Sequence, residues 1–226
     1  TRQMELLTDV EHQRRGCPDD PDVVAIRLSS MQVRNSREFG SCWTGVKMWQ
    51  LLELDRFWSK QLGEQRGDVP WEKVAELLAV NRLCAPGSEL NVHERWYPKT
   101  AMGFLLDCDD AVAEKDRLYR CLDRLVEHKA DLETHLKNKW GELFHADFDV
   151  LLYDLTSTYF EGLMDEVPKA KRGYSRDHRP DCKQLVIALI VTPEGFPLSY
   201  EIFAGNTRDV KSLDLMMDRV EAKYGK

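Results

Sequence analysis

Phe148-Asp149-Val150-Leu151-Leu152-Tyr153-Asp154-Leu155-Thr156-Ser157-Thr158-Tyr159-Phe160 decides how this 226-residue chain is read. From Phe148 to Tyr153 the run is apolar apart from Asp149, so it reads as a strand buried on both faces. Asp154 then stands at the end of that strand. A carboxylate there is costly unless a metal, a hydrogen bond or an opposite charge compensates it. Two uses fit the pattern: a strand terminator bonding back to the amides of Thr156 to Thr158, or a ligand for a cation.

Downstream, Lys183-Gln184-Leu185-Val186-Ile187-Ala188-Leu189-Ile190-Val191 is a second apolar strand rich in β-branched residues. Pro193-Glu194-Gly195 supplies a turn, with glycine where a hairpin needs positive φ. Leu198 to Phe203 gives a third strand. Ala204-Gly205-Asn206-Thr207-Arg208-Asp209 breaks it and offers Thr207 or Asp209 as a helix N-cap. Val210, Leu213, Met217, Val220 and Tyr224 then recur at helical spacing. The order is strand, long basic loop, strand, tight turn, strand, helix.

The basic loop lies between Pro168 and Lys183. It holds Lys169, Lys171, Arg172, Arg176, Arg179 and Lys183 against Asp177 and Asp181, with Tyr174 and His178 interleaved. Read alone it is an ordinary solvated loop. Beside Asp154 it is placed to meet a phosphate backbone. The net charge of −7 argues mildly against a nucleic-acid partner, and this local excess of cations answers it in part.

YDLTSTYFEG, from Tyr153 to Gly162, and RGYSRDHRPDCKQLVIALIVTPEGFPLSYEIFAGNTRD, from Arg172 to Asp209, resemble the catalytic region of bacterial insertion-sequence transposases of the DDE class. The resemblance covers Asp147 to Lys226. A weaker echo runs through Val80-Asn81-Arg82-Leu83 and from Leu118 to Leu125. It rests on Asp-x-Thr-Ser, Gly-Tyr-Ser and Gly-Asn-Thr-x-Asp occurring together at these separations. It implies an RNase H-like domain that binds element-end DNA and cuts and joins phosphodiesters with two Mg²⁺ or Mn²⁺ ions held about 4 Å apart by three carboxylates. By the matching motif, Asp154 is the first carboxylate, both catalytic and metal-binding. Lys169, Lys171, Arg172, Arg176, Lys183 and Arg208 are the expected contacts to double-stranded DNA, and the intact protein is expected to be a homodimer.

The resemblance puts the second and third carboxylates beyond Lys226. Asp209 matches the Gly-Asn-Thr-x-Asp turn instead, and reads as a cap or turn residue. The chain begins at Thr1 rather than methionine. The expectation is therefore a fragment cut before the active site is complete, and inactive by itself. Two alternatives stand beside a transposase: a non-catalytic remnant that binds DNA or a partner and inhibits transposition, and a structure-specific nuclease of the same fold.

Before Asp147 the pattern is mostly helical. Val46 to Trp58 carries Trp49, Leu52, Leu54, Phe57 and Trp58 on a broad apolar face. Asp68-Val69-Pro70-Trp71-Glu72 starts a helix running to about Leu83. Ala85-Pro86-Gly87 stops it, and Ser88 can cap a short successor with Glu89 in its first turn. From Ala113 to Phe144, apolar spacing predicts two helices broken near Lys129 to Asp131. Tryptophans at helical spacing read as core rather than as base-stacking platforms. Val24, Ile26 and Leu28 alternate like a strand, with Met31 and Val33 as a hairpin partner.

The fold class expected is α/β. Residues 1–45 form an irregular lead-in with a small β segment, 46–145 a helical domain, and 146–226 an incomplete RNase H-like domain of three antiparallel strands and a helix. Six cysteines without a CxxC pair, and six histidines without ligand spacing, give no zinc site. There is no apolar run long enough to span a bilayer and no signal-peptide pattern, so no membrane association and a cytoplasmic location are expected.

Overall fold

The computed structural model describes residues 27, 29, 32, 35–63, 69–146, 148, 151–174, 178–207, 213 and 216–218. The predicted pairing of Val24, Ile26 and Leu28 with Met31 and Val33 lies outside them. Helix α1 (Gly40–Leu51) buries Cys42, Gly45, Val46 and Trp49, and α2 (Leu54–Leu62) buries Leu54, Phe57, Trp58 and Leu62. Periodicity predicts one helix over 46–58, but the chain breaks at Glu53, which takes the left-handed conformation with φ 53°. That costs a β-carbon residue about 1–2 kcal/mol. The Lys139 ammonium, 2.8 Å from the Glu53 carboxylate, helps to fix the corner and holds that carboxyl below the usual glutamate range. Beyond the bend Phe57 packs 4.8 Å from the His135 ring, and Trp58 lies 6.1 Å from His128.

Helix α3 (Trp71–Cys84) is buried on most sides. Its buried set runs Trp71, Val74, Ala75, Leu77, Leu78 and Val80, with Glu76 and Asn81, so it is the centre of the helical region. Pro70 occupies the N-cap, and the expected cap Asp68 lies outside the described residues. Ser88 Oγ accepts the Asn91 N–H at 3.2 Å and opens α4 (Glu89–Asn91), as predicted. That turn runs on through a π-helical stretch (Val92–Trp96) and a 3₁₀ turn (Tyr97–Lys99) to α5 (Met102–Leu106). Helix α6 (Lys115–Glu127) is capped by the Glu114 carboxylate, which accepts from the amides of Asp116 and Arg117 at 3.1 and 2.8 Å. Helix α7 (Lys129–Phe144) follows after His128, at the edge of the predicted break. Trp49, Trp58, Trp71, Trp96 and Trp140 are buried, as the core reading expects, whereas Trp43 is exposed.

Three strands follow: β1 (Leu152–Phe160), β2 (Lys183–Val191) and β3 (Pro197–Ala204), antiparallel in the order β1-β2-β3. The fold is thus a mainly helical N-terminal region followed by a three-stranded antiparallel sheet, a mixed α/β chain. Gly195 turns the β2–β3 hairpin with φ 93°, and its N–H donates to Thr192 O at 2.9 Å.

β1 corrects the sequence reading. It starts four residues later than the apolar run does and continues through Phe160. Its pairing with β2 is continuous from Leu152↔Val191 to Phe160↔Lys183. It is not buried on both faces: Leu155 points inward and is buried, while Leu152, Asp154, Thr156 and Thr158 are exposed. The Thr- and Tyr-rich half pairs with β2 because its side chains suit a strand with one wet face.

The inner face packs Leu155, Val186, Ala188, Ile190, Leu198 and Phe203 with Trp140 and Met216. Helix α7 closes it. Trp140 stacks on Phe196 at 5.1 Å and donates its Nε1–H to Pro197 O at 3.0 Å, and Ser199 Oγ donates to Glu133 at 2.9 Å. Leu52 and Leu136 touch both this cluster and the helical core. Among the described residues after β3, Met216 is buried, and Leu213 and Met217 are exposed. Leu213, Leu215, Met216 and Met217 stand nearly side by side in the sequence, so spacing alone picks the wrong face there. Val210, Val220 and Tyr224 lie outside the described residues. Among the described residues no helix is long and apolar enough to cross a membrane.

Candidate nucleic-acid interface

Asp154 is the third residue of β1, opposite Leu189, which in turn faces Tyr200 on β3. Leu189 and Tyr200 complete its row across the outer face, and both are exposed, as are Leu152 and Ile202 in neighbouring rows. No described residue bonds to its carboxylate. The strand-terminator alternative falls, because Thr156, Ser157 and Thr158 continue the strand opposite Ile187, Val186 and Leu185. A solvated Asp on an exposed strand face does nothing for packing.

The segment Lys169–Tyr174 is built into the sheet. Lys171 N–H donates to Gln184 O at 3.2 Å and Gln184 N–H returns to Lys171 O at 2.9 Å, an antiparallel bridge at the start of β2. Gly205 N–H donates to Lys169 O at 3.0 Å, and Ala170 is buried. The Gln184 side chain, 1% exposed, joins the two motif segments. Its Nε2 donates to Tyr174 O at 2.7 Å and to Gly205 O at 2.9 Å. The backbones meet so closely that a β carbon on Gly173 would collide with Gly205 O, and one on Gly205 with the carbonyls of Gln184 and Lys171. Gly173-Tyr174 and Gly205, far apart in the chain, are one structural unit there, and Gln184 is its clasp. A polar residue at the head of an apolar strand reads as a strand edge, so no sequence signal singles it out.

The predicted cations differ in what they do. Lys169 Nζ donates to Ile202 O at 2.9 Å, bracing the segment against β3. Lys183 pairs with Asp165. Arg179 forks onto Asp181 at 3.0 and 3.1 Å, reaches Glu161 at 3.6 Å, and lies 5.1 Å over the Tyr159 ring. Its guanidinium holds the Asp181 carboxyl down to about 2. Lys171 and Arg172 are exposed and have no side-chain partner among the described residues. Arg176 and Arg208 lie outside those residues, as does Asp209.

Strand geometry separates Asp154 from Lys171. Gln184 pairs with Tyr159, five residues along β1 from Asp154, and Lys171 lies one strand further across. At about 3.3 Å per residue and 4.8 Å per strand, the backbone positions are roughly 20 Å apart. The loop is therefore not adjacent to the carboxylate, but about six nucleotide steps of one DNA strand cover the distance.

Asp154 fits one ligand position of a hydrated Mg²⁺, which takes one or two carboxylates and keeps water or phosphate oxygens elsewhere. It does not make a two-ion site. Among the described residues no three His, Cys, Asp or Glu side chains gather to hold an ion.

Comparison with protein-family models, with curated proteins and with solved structures gives no match.

Proposed function

We propose that this chain carries the first strands of an RNase H-like catalytic domain and acts on DNA as part of a DDE-class transposase. The observation that carries the reading is Asp154: an exposed carboxylate opposite apolar Leu189 on the outer face of the sheet, free of any described partner and free of a capping role. The strand order β1-β2-β3, all antiparallel, agrees with the arrangement the motifs imply for the start of such a domain. Lys171 and Arg172, both exposed, supply phosphate contacts.

Bound Mg²⁺ or Mn²⁺ would activate the attacking oxygen and stabilise the leaving oxygen of a phosphodiester. Asp154 would be one ligand. Since a two-ion site needs further carboxylates, no cleavage step is assigned to the described residues. Their part is to offer one metal ligand and to hold the backbone of the DNA. The same observation favours a second reading, a DNA-binding module without catalysis, because Asp154 is the one acidic residue on the described outer face of the sheet.

A cleavage assay on the full-length protein separates the two. There, Asp154→Ala should abolish Mg²⁺-dependent strand cleavage and leave DNA affinity unchanged, since affinity comes from cations on phosphate. Cleavage that survives the substitution would remove Asp154 from the site. A full-length protein that binds but never cuts would favour the module.

A further inference from the structure

Tyr174 is 87% exposed, more than any other large apolar or aromatic side chain among the described residues. Its own carbonyl, however, is held at 2.7 Å by an amide that is almost completely buried. Burying the Gln184 amide is costly unless both N–H groups are used, and here both donate to backbone carbonyls. The fold thus fixes a short backbone segment and leaves its side chains in water. Within four consecutive residues those side chains are two cations, a glycine packed against Gly205, and a phenol ring. A connecting loop needs no such fixing.

We propose that Lys169–Tyr174 is a preformed nucleic-acid surface on which Tyr174 stacks against an unpaired base, Lys171 and Arg172 meet the neighbouring phosphates, and Gln184 is the positioning residue. The proposal rests on the DNA-binding reading above and goes beyond it by naming the form of the DNA. An exposed ring cannot reach a base face inside a stacked duplex, whereas a splayed or single-stranded base offers a free face of any sequence. Phosphates on either side of that base complement the two cations. Because the segment is already ordered, little conformational entropy is lost on binding.

Fluorescence anisotropy with residues 1–226 tests this, using a labelled duplex and the same duplex with a single-stranded extension. The wild type should bind the extended substrate more tightly. Tyr174→Ala should weaken that binding roughly tenfold and leave the plain duplex unchanged, while Tyr174→Phe keeps the preference. Gln184→Met, checked for folding by far-UV circular dichroism, should lose the preference as well, and adding Tyr174→Ala to it should cost nothing further. A preference that survives Tyr174→Ala overturns the proposal, as does a loss shared equally by both substrates. A wild type that binds the duplex through Lys171 and Arg172 without preferring the extension overturns it too, but leaves the DNA-binding reading standing. Binding to neither overturns both.

Discussion

Glu76 lies 2% exposed in the middle of α3, with the Lys73 ammonium at 3.3 Å. Burial pushes its carboxyl above the ordinary value of 4.5; Lys73 pulls it down by less, and Asp55 and Glu72 add to the rise. Folding therefore strengthens proton binding at this site. Between the ordinary value and the raised one the native state holds more protons than the unfolded state, so this group's contribution falls as pH rises through that window. Glu76→Gln should then melt a few degrees above the wild type at neutral pH, with the gap closing as pH falls through that window towards 4.5. Paired thermal melts across that range check it. A gap independent of pH would mean that Lys73 fully compensates the buried charge.

At the scale of elements, β1 pairs with β2 along one side, and no described strand covers its other side. It carries no lysine, proline or bulge, the usual guards of an exposed edge. Leu152, Leu189, Tyr200 and Ile202 add exposed apolar surface on the adjoining face. Residues 1–226 should self-associate, and Thr158→Lys on that edge should reduce it. Size-exclusion chromatography with light scattering decides; a monodisperse wild-type monomer would mean that the edge is covered.

Elements are legible where local chemistry settles them. β2, the Gly195 turn, the Ser88 cap and the break between α6 and α7 all follow from short signals. The bend at Glu53 does not show, because a left-handed glutamate leaves no glycine or proline to mark it. The start of β1 is misread because an unbroken apolar run looks like a buried strand, and only the register with β2 shows which residues pair. The Leu132, Leu136 and Trp140 stripe announces a helix without saying that it serves two cores. Of the candidate site, Asp154 and the cations stand out by type. Their separation, the diversion of Lys169 and Lys183 to internal partners, and the clasp of Gln184 are tertiary facts that no spacing rule contains.

For the whole molecule, a net charge of −7 sets the general field against a polyanion. On the proposed reading, binding to DNA comes from local contacts strong enough to overcome it, and such contacts release counterions from the duplex. On that reading Lys171 and Arg172 are those contacts, held out by the clasped segment. The most direct test is the salt dependence of duplex binding by residues 1–226 with and without Lys171→Ala and Arg172→Ala together. The plot of log affinity against log salt should become shallower by about 1.8 in the double variant, about 0.9 for each phosphate no longer neutralised. An unchanged slope, or a wild type that does not bind DNA at low salt, would contradict it.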